Sequence, residues 1–363
     1  MIQGIVDKQN NFWLGHPDVC LFLDKIFVCY RKSFEHLSKA NTSICVVSSF
    51  QNEINWSAPY EISLGYKFNC PRLCVCDKEM ILVCDVIPSG DNFIVSENSK
   101  NTKIWFWKTK DGIHWEGPIR TNISGIVPSK IVTNFKGQYL LASHTKKYFL
   151  KNNNSSLSKE TVNVDFNSMY SKEEISGRLI QNIWISDSIN NNWNGPIKVA
   201  DKNNYNFCEG SLFNINDKII GCMMRENSRR GDPSFYSLSY DGGYTWSNPS
   251  KTRMFGCHRP VTNKLKSGYW LTTYRDQSNS VNKKFWAKNT IACLSEKDSW
   301  IPSNSFVHSI DLCLDHDRNK DHPDSGYTGW VQLDDNRIFI VNYITDKESK
   351  PYIKYYIITE DDF

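Results

Sequence analysis

No run of 18 or more apolar residues occurs in the 363-residue sequence, which argues against a transmembrane helix. The first residues, MIQGIVDKQNNFW, lack a charged n-region followed by an apolar h-region, so no secretory leader is expected and the chain is expected in the cytoplasm. Charge of one sign is not in excess. The 43 basic residues against 39 acidic ones leave a net charge of +4, which asks for no nucleic-acid partner. No CxxC pair or neighbouring histidine cluster accompanies Cys70, Cys74 and Cys76, so a metal site is not expected there. The 12 cysteines read instead as buried thiols in a reducing compartment, because free cysteine packs as a small hydrophobe. No organic cofactor is implied. Hydrophobic residues at 40% and charged residues at 23% exclude disorder for most of the chain.

What is abundant is aromatic. Phe, Trp and Tyr reach 13%, with 12 Trp, which suits the pleated surfaces of an all-β protein. Six hairpin-like units recur, each an apolar run, a polar turn and a second apolar run. They are DVCLFLDKIFVCYR (18–31), RLCVCDKEMILVCD (72–85), SKIVTNFKGQYLLASH (129–144), GSLFNINDKIIGCMMR (210–225), RPVTNKLKSGYWLTTYR (259–275) and GWVQLDDNRIFIVNY (329–343). Six copies give about 60 residues per unit, a propeller blade of ~40–50 residues with longer loops.

A Trp-x-x-Pro signal follows at Trp56, Trp115, Trp193 and Trp246, with a worn copy at Trp300–Pro302. The sharpest turn before it is Ser239-Tyr240-Asp241-Gly242-Gly243-Tyr244-Thr245-Trp246, where Asp bonds the local backbone and Gly accepts positive φ. The Trp is expected to fold back on its own hairpin. Each unit thus reads as hairpin, third strand, turn with Trp, fourth strand. Radial repetition predicts a six-bladed β-propeller of four-stranded antiparallel blades. The last unit ends at its third strand, so a strand around Gln3–Val6 is expected to close the ring. One domain is expected over 1–363, with a surface insertion at about 148–177, partly helical around Ser171–Ile175.

The segment 239–246 resembles the Asp-box of the sialidase superfamily, and the resemblance extends over about 12–358, most strongly 207–249. Sialidases begin one blade with a Glu and end its second strand with an Arg; Glu209 and Arg225 match that pattern. Ser325-Gly326-Tyr327-Thr328 resembles the Gly-Tyr-Ser carrying the family's catalytic tyrosine. The resemblance implies an exo-acting, retaining hydrolase that releases sialic acid or a related acidic sugar. Tyr327 would be the nucleophile, since a carboxylate would repel the sugar's own carboxylate, and Glu209 would take its proton.

Arginines grip such a carboxylate bidentately. Arg225, Arg275 and Arg31 end second strands and are candidates; Arg72 and Arg259 begin inner strands and can add charge to the same mouth. One departure is plain. Sialidases open with Phe/Tyr-Arg-Ile-Pro, and here Gly15-His16-Pro17-Asp18-Val19 carries no arginine. Asp18, Glu35 and His36 are the candidates for the general acid, and His36 is also a candidate substrate contact. The expected partner is a carbohydrate. Two alternatives remain: a hydrolase or lyase for another acidic sugar, which the missing arginine favours, and a non-catalytic glycan-binding or scaffold propeller.

Overall fold

The computed structural model describes residues 1–38, 40–87, 102–150, 175–190, 192–228, 230–277, 288–300, 308–319, 321 and 323–363; in 147–150 and 175–177 it describes the backbone alone. Six antiparallel sheets form a six-bladed β-propeller, as the repeats predict. β1 (Ile2–Asp7) belongs to the last blade. The first blade is β2 (Trp13–Phe22), β3 (Lys25–Ser33), β4 (Ser43–Phe50) and β5 (Tyr60–Ile62). In the second, a split inner strand, β6 (Lys67–Phe68) and β7 (Arg72–Cys76), pairs with β8 (Glu79–Ile87), followed by β9 (Lys103–Thr109) and β10 (Glu116–Ser124). The third is β11 (Val132–Thr133), β12 (Tyr139–Leu150), β13 (Ile175–Ser186) and β14 (Asn194–Ala200). The fourth is β15 (Phe207–Asn214), β16 (Ile220–Glu226), β17 (Pro233–Ser239) and β18 (Ser250–Phe255). The fifth is β19 (Cys257–Lys264), β20 (Trp270–Asp276), β21 (Asn289–Ser295) and β22 (Ser309–His316). The sixth is β23 (Ser325–Gln332), β24 (Ile338–Ile344) and β25 (Tyr352–Ile358), completed by β1.

Alternation along each strand decides which neighbour a side chain meets. In the second blade Leu82 and Trp107 face Phe27 and Ile44 of the first, while Ile81 and Phe106 face Leu141 and Trp184 of the third. Repeated around the ring, this gives one apolar layer in each of the six gaps between blades. Eleven of the 12 cysteines are buried, Cys313 is exposed, and all are free thiols.

The Trp of the Trp–Pro signal enters the gap toward the preceding blade: Trp193 packs on Phe106, Trp56 on Phe339 and Tyr355, and Trp300 on Phe213 and Tyr236 while also meeting Trp270 of its own hairpin. The turn before it docks on that blade too. Asp241 accepts the Tyr244 and Thr245 amides and the Ser239 hydroxyl, and a Cβ at Gly243 (φ 103°) would stand 2.5 Å from Leu140 of the third blade. Glycine is required there by both φ and close approach. Pro302 of the worn copy lies outside the described residues.

The expected insertion is shorter at its edges. Residues 148–150 and 175–177 are strand, continuing the β12–β13 ladder to Leu150 opposite Ile175. Residue 175, expected in a helix, is therefore β; residues 151–174 lie outside the described residues.

The ring closes through β1. Ile2, Gln3, Gly4 and Ile5 pair antiparallel with Ile357, Tyr356, Tyr355 and Lys354, and Val6 joins the layer between the sixth and first blades. Deleting residues 1–8 removes one edge ladder and exposes β25. With roughly 3 kcal/mol lost from these bonds and contacts, the melting temperature is expected to fall by about 4 °C for a domain of this size. An unchanged melting curve would show that β1 does not close the ring.

Candidate functional site

The hairpins of the sequence start too late, and the missing piece of inner strand builds the site. In the first, fourth, fifth and sixth blades the register jumps near the start of the inner strand: between Gly15 and Asp18, Cys208 and Ser211, His258 and Val261, and Gly326 and Gly329. Each jump is a β-bulge, which bends the strand and re-aims a side chain. At each bulge one non-glycine residue is left-handed: His16 (φ 55°), Glu209 (54°), Arg259 (54°) and Tyr327 (56°). Val127 (52°), next to the Ile126–His144 bridge, holds the matching place in the third blade. In the second, Cys70 lies in the break between β6 and β7.

The facing strand contributes a second layer by register. Opposite the residue before each bulge stand Arg31 (facing Gly15), His144 (Ile126), Arg225 (Cys208), Arg275 (His258) and Tyr343 (Gly326); Asp85 faces Asn69 through an amide-to-carbonyl bond. A Cβ at Gly326 (φ 91°) would meet the Arg275 Cβ at 2.3 Å, so glycine beside Tyr327 lets that arginine through.

Glu209 and Tyr327, far apart in sequence, meet here. The Tyr327 hydroxyl donates to Glu209 Oε1 at 2.5 Å, and Arg225 Nη1 donates to the same oxygen at 2.8 Å. Glu209 Oε2 is buried with no hydrogen-bond partner among the described residues. Arg225 also reaches Asn227 (2.6 Å). The Arg275 guanidinium lies 5.2 Å from the Tyr327 ring centre and donates to the Ser325 carbonyl. On its other side Tyr327 stacks on His16, with ring centres 4.6 Å apart.

Burial alone would raise the Glu209 carboxyl, but the guanidinium groups of Arg225 and Arg275, the Tyr327 hydroxyl and Arg259 lower it to about 2. Burial, and then the Glu209 charge, push the Tyr327 phenol well above its ordinary value against the opposing arginines. The resting proton therefore sits on Tyr327, beside an ionised acceptor. His16 and His144 are both held toward the neutral form. Burial, then Arg31 and His36, hold His16 well below its ordinary value, and burial lowers His144 to about 4 despite Glu209. His144 Nδ1 accepts the Glu209 amide at 3.2 Å and so fixes the bulge.

The other sequence candidates are placed differently. Arg31 lies 4.2 Å from the Trp13 ring centre and donates to Asn69 and to the His36 carbonyl. Arg72 and Arg259 are turned into the central channel. Arg72 donates to the Pro17 and Thr328 carbonyls, and Arg259 to those of Glu209, Gly210 and Pro128. With Asp18 and Lys130 they line a cavity of about 10 Å³. Asp18 is fully buried, accepts the Leu73 amide and lies 3.3 Å from Lys130 Nζ and 3.6 Å from Arg72 Nη1. Glu35 is exposed in the loop after β3, with no contact to Tyr327 or Glu209 among the described residues. His36, one residue on, rests on Trp13 and His16 and pairs with Asp324 at 2.7 Å.

Sequence reasoning missed Asp85, His16, His144, Trp13, Asp324 and Tyr343. Aligning the six hairpins on the residue opposite each bulge would have found Asp85, His144 and Tyr343. Asp324, three residues before Tyr327, carried no such signal.

No family model matches the chain, and no curated protein matches it. Solved structures do, at identities that speak to fold alone. A protein of unknown function from Dyadobacter fermentans superposes with a TM-score of 0.73 at 16% identity, over 98% of this chain and 97% of that one. A Hadza microbial sialidase superposes at 0.67 with 14% identity, over 96% and 66%. Trypanosoma rangeli sialidase in complex with sialic acid gives 0.64 at 10% identity, over 96% and 55%. The chain thus shares a propeller with sialidases and spans about half to two thirds of these two.

Asp85 is the latch of the mouth. Its carboxylate accepts the Cys70 amide (2.7 Å), the Val127 amide (2.9 Å) and the Asn69 side chain (2.9 Å), tying the second and third blades together. Asp85→Ala strands three buried donors and is expected to cost roughly 3 kcal/mol or more in urea unfolding. A loss below about 1 kcal/mol would refute that role.

Proposed function

We propose that the chain is a retaining, exo-acting glycoside hydrolase of sialidase type acting on an acidic sugar. The observation that carries this reading is the 2.5 Å bond from the Tyr327 hydroxyl to a fully ionised, buried Glu209. An isolated phenol is a weak nucleophile at neutral pH, since its unperturbed pKa is near ~10. Here a carboxylate waits to take its proton as it attacks, the arrangement expected of an activated nucleophile. A neutral nucleophile suits a sugar whose anomeric carbon bears a carboxylate, because no like charges meet.

Arg225 and Arg275 flank Tyr327 and are the groups assigned to the substrate carboxylate. Arg225 would then bridge the substrate and the base. A second reading, a hydrolase for a related acidic sugar, rests on His16. A neutral imidazole stacks on Tyr327 near the place where the family's opening motif carries arginine, so the third guanidinium is absent from that wall. The carboxylate would be gripped by two arginines, which favours a sugar that makes fewer charged contacts.

Hydrolysis of 4-methylumbelliferyl N-acetylneuraminic acid tests the reading. Tyr327→Phe removes the nucleophile and Glu209→Gln the proton acceptor; each is expected to lower kcat/KM by roughly 10²–10⁴ with the fold intact. A folded wild type that hydrolyses neither this probe nor a panel of acidic-sugar glycosides would sink the hydrolase and leave a glycan-binding propeller.

A further inference from the structure

A retaining hydrolase needs, besides nucleophile and base, a group that protonates the departing oxygen and later deprotonates water. Resting on the reading above, we propose that His36, held by the buried carboxylate of Asp324, is that acid–base residue.

The placement of the three acid candidates separates them. Asp18 is fully buried in the channel, bonded to an amide and paired with two cations, so it has no path to a leaving group. Glu35 is exposed and contacts neither Tyr327 nor His16 among the described residues. His36 is at the rim and part of that wall: its ring centre lies 5.4 Å from His16, which stacks on Tyr327, and 4.9 Å from Trp13. Its side chain is 41% exposed, as a group that meets both an aglycone and water must be. Its loop is pinned from below, because Arg31 Nη2 donates to the His36 carbonyl at 2.6 Å.

Asp324 supplies the rest. It immediately precedes β23, three residues before Tyr327, so acid partner and nucleophile ride on one segment. Its Oδ2 contacts His36 Nδ1 at 2.7 Å and accepts Trp13 Nε1–H at 2.9 Å, and Oδ1 accepts the Tyr343 hydroxyl at 3.0 Å. Lys288 Nζ stands 3.5 Å away. Burial works against its charge, yet His36, Lys288 and Trp13 hold the carboxyl far below the ordinary range. An ionised acceptor on Nδ1 fixes the ring and keeps a proton on that nitrogen, which leaves Nε2 for the substrate. No described residue engages Nε2.

The step balances. The Tyr327 oxygen bonds to the anomeric carbon and its proton passes to Glu209. The glycosidic C–O bond breaks, its electron pair stays on the leaving oxygen, and that oxygen takes the His36 Nε2 proton. In the second step water attacks the anomeric carbon and gives a proton back to Nε2. The Tyr327 oxygen leaves and recovers its proton from Glu209.

Protonation of the leaving group matters only when that group is a poor one, and this is the readout. Wild type, His36→Gln, Asp324→Asn and Tyr327→Phe are assayed on 4-methylumbelliferyl N-acetylneuraminic acid, whose phenolate leaves unaided, and on 3′-sialyllactose, whose alkoxide does not. His36→Gln is expected to lose roughly 10²–10⁴ in kcat/KM on sialyllactose and less than about tenfold on the aryl glycoside. Asp324, a positioning residue, is expected to show the same leaving-group split at smaller size. Tyr327→Phe should lose both substrates equally. Since His36 is half exposed, His36→Gln should melt with wild type, and a melting curve checks it. Equal losses on the two substrates in His36→Gln, or none, would overturn the dyad while leaving the Tyr327–Glu209 reading in place. A wild type inactive on both would overturn that reading and the dyad with it.

Discussion

The repeated bulge at the start of the inner strands is the constraint on which the mouth of this propeller depends. A regular strand alternates its side chains between two neighbouring blades, so none would face the axis at the mouth. One left-handed residue breaks that alternation and turns a side chain inward. Glu209, Tyr327 and His16 all reach the site this way. A non-glycine residue in that region costs on the order of 1–3 kcal/mol and persists only where its surroundings over-determine it. They do so here: His144 takes the Glu209 amide, Gln181 takes that of Gly210, and Asn342 takes that of Gly326. The geometry of the site is thus held by buried bonds from backbone amides to neighbouring side chains, separate from the contact of Tyr327 with Glu209.

Electrostatics follow from that geometry. Several arginines crowd one carboxylate, and the outcome is a carboxylate that stays ionised beside a phenol that keeps its proton. These opposite shifts are one statement about where a single shared proton rests. Neutral His16 and His144 keep further positive charge off the wall, although each touches the site. Were His16 an arginine, its charge would fall beside Arg31, which already stacks on Trp13.

The fold was legible because its signals are local and repeated. Alternation, turn chemistry and the Trp–Pro spacing each recur, and each survives wear in single copies. The bulges were not legible for the same reason that they matter. An extra residue shifts the period by one, so the apolar alternation seemed to begin at 18, 210, 259 and 329 when the strands begin at 13, 207, 257 and 325. Glu209 and Tyr327 were found by resemblance of motif, outside the hairpins that pattern alone had outlined. Arg72 and Arg259 were grouped with them because each begins an inner strand. Nothing in the pattern says whether such a residue turns to the mouth or down the channel. The role of Trp in bridging two blades was also hidden, since a packing partner from the previous repeat leaves no mark on spacing.

The two channel arginines make sense once the bulges are considered. A bulge removes carbonyls from the ladder, and a buried carbonyl without a donor is costly. Arg72 donates to the carbonyls of Pro17 and Thr328, which lie in the bulges of the first and sixth blades. Arg259 reaches those of Glu209 and Gly210 in the fourth and of Pro128 in the third. Lys130 donates to the Val19 carbonyl, just past the bulge of the first blade. Guanidinium suits this work because its fork of donors spans two strands at once. Its charge is then left in a tight space where Arg72 and Arg259 repel, and burial together with that repulsion lowers Arg259 to about 10. Against these charges stand two buried carboxylates: Asp18, within ion-pair reach of Arg72 and of Lys130, and Glu209, whose charge opposes the lowering of Arg259. On this account Arg72 and Arg259 are in the channel because the mouth is bulged, and the guanidinium groups left beside Tyr327 and Glu209 are those of Arg225 and Arg275.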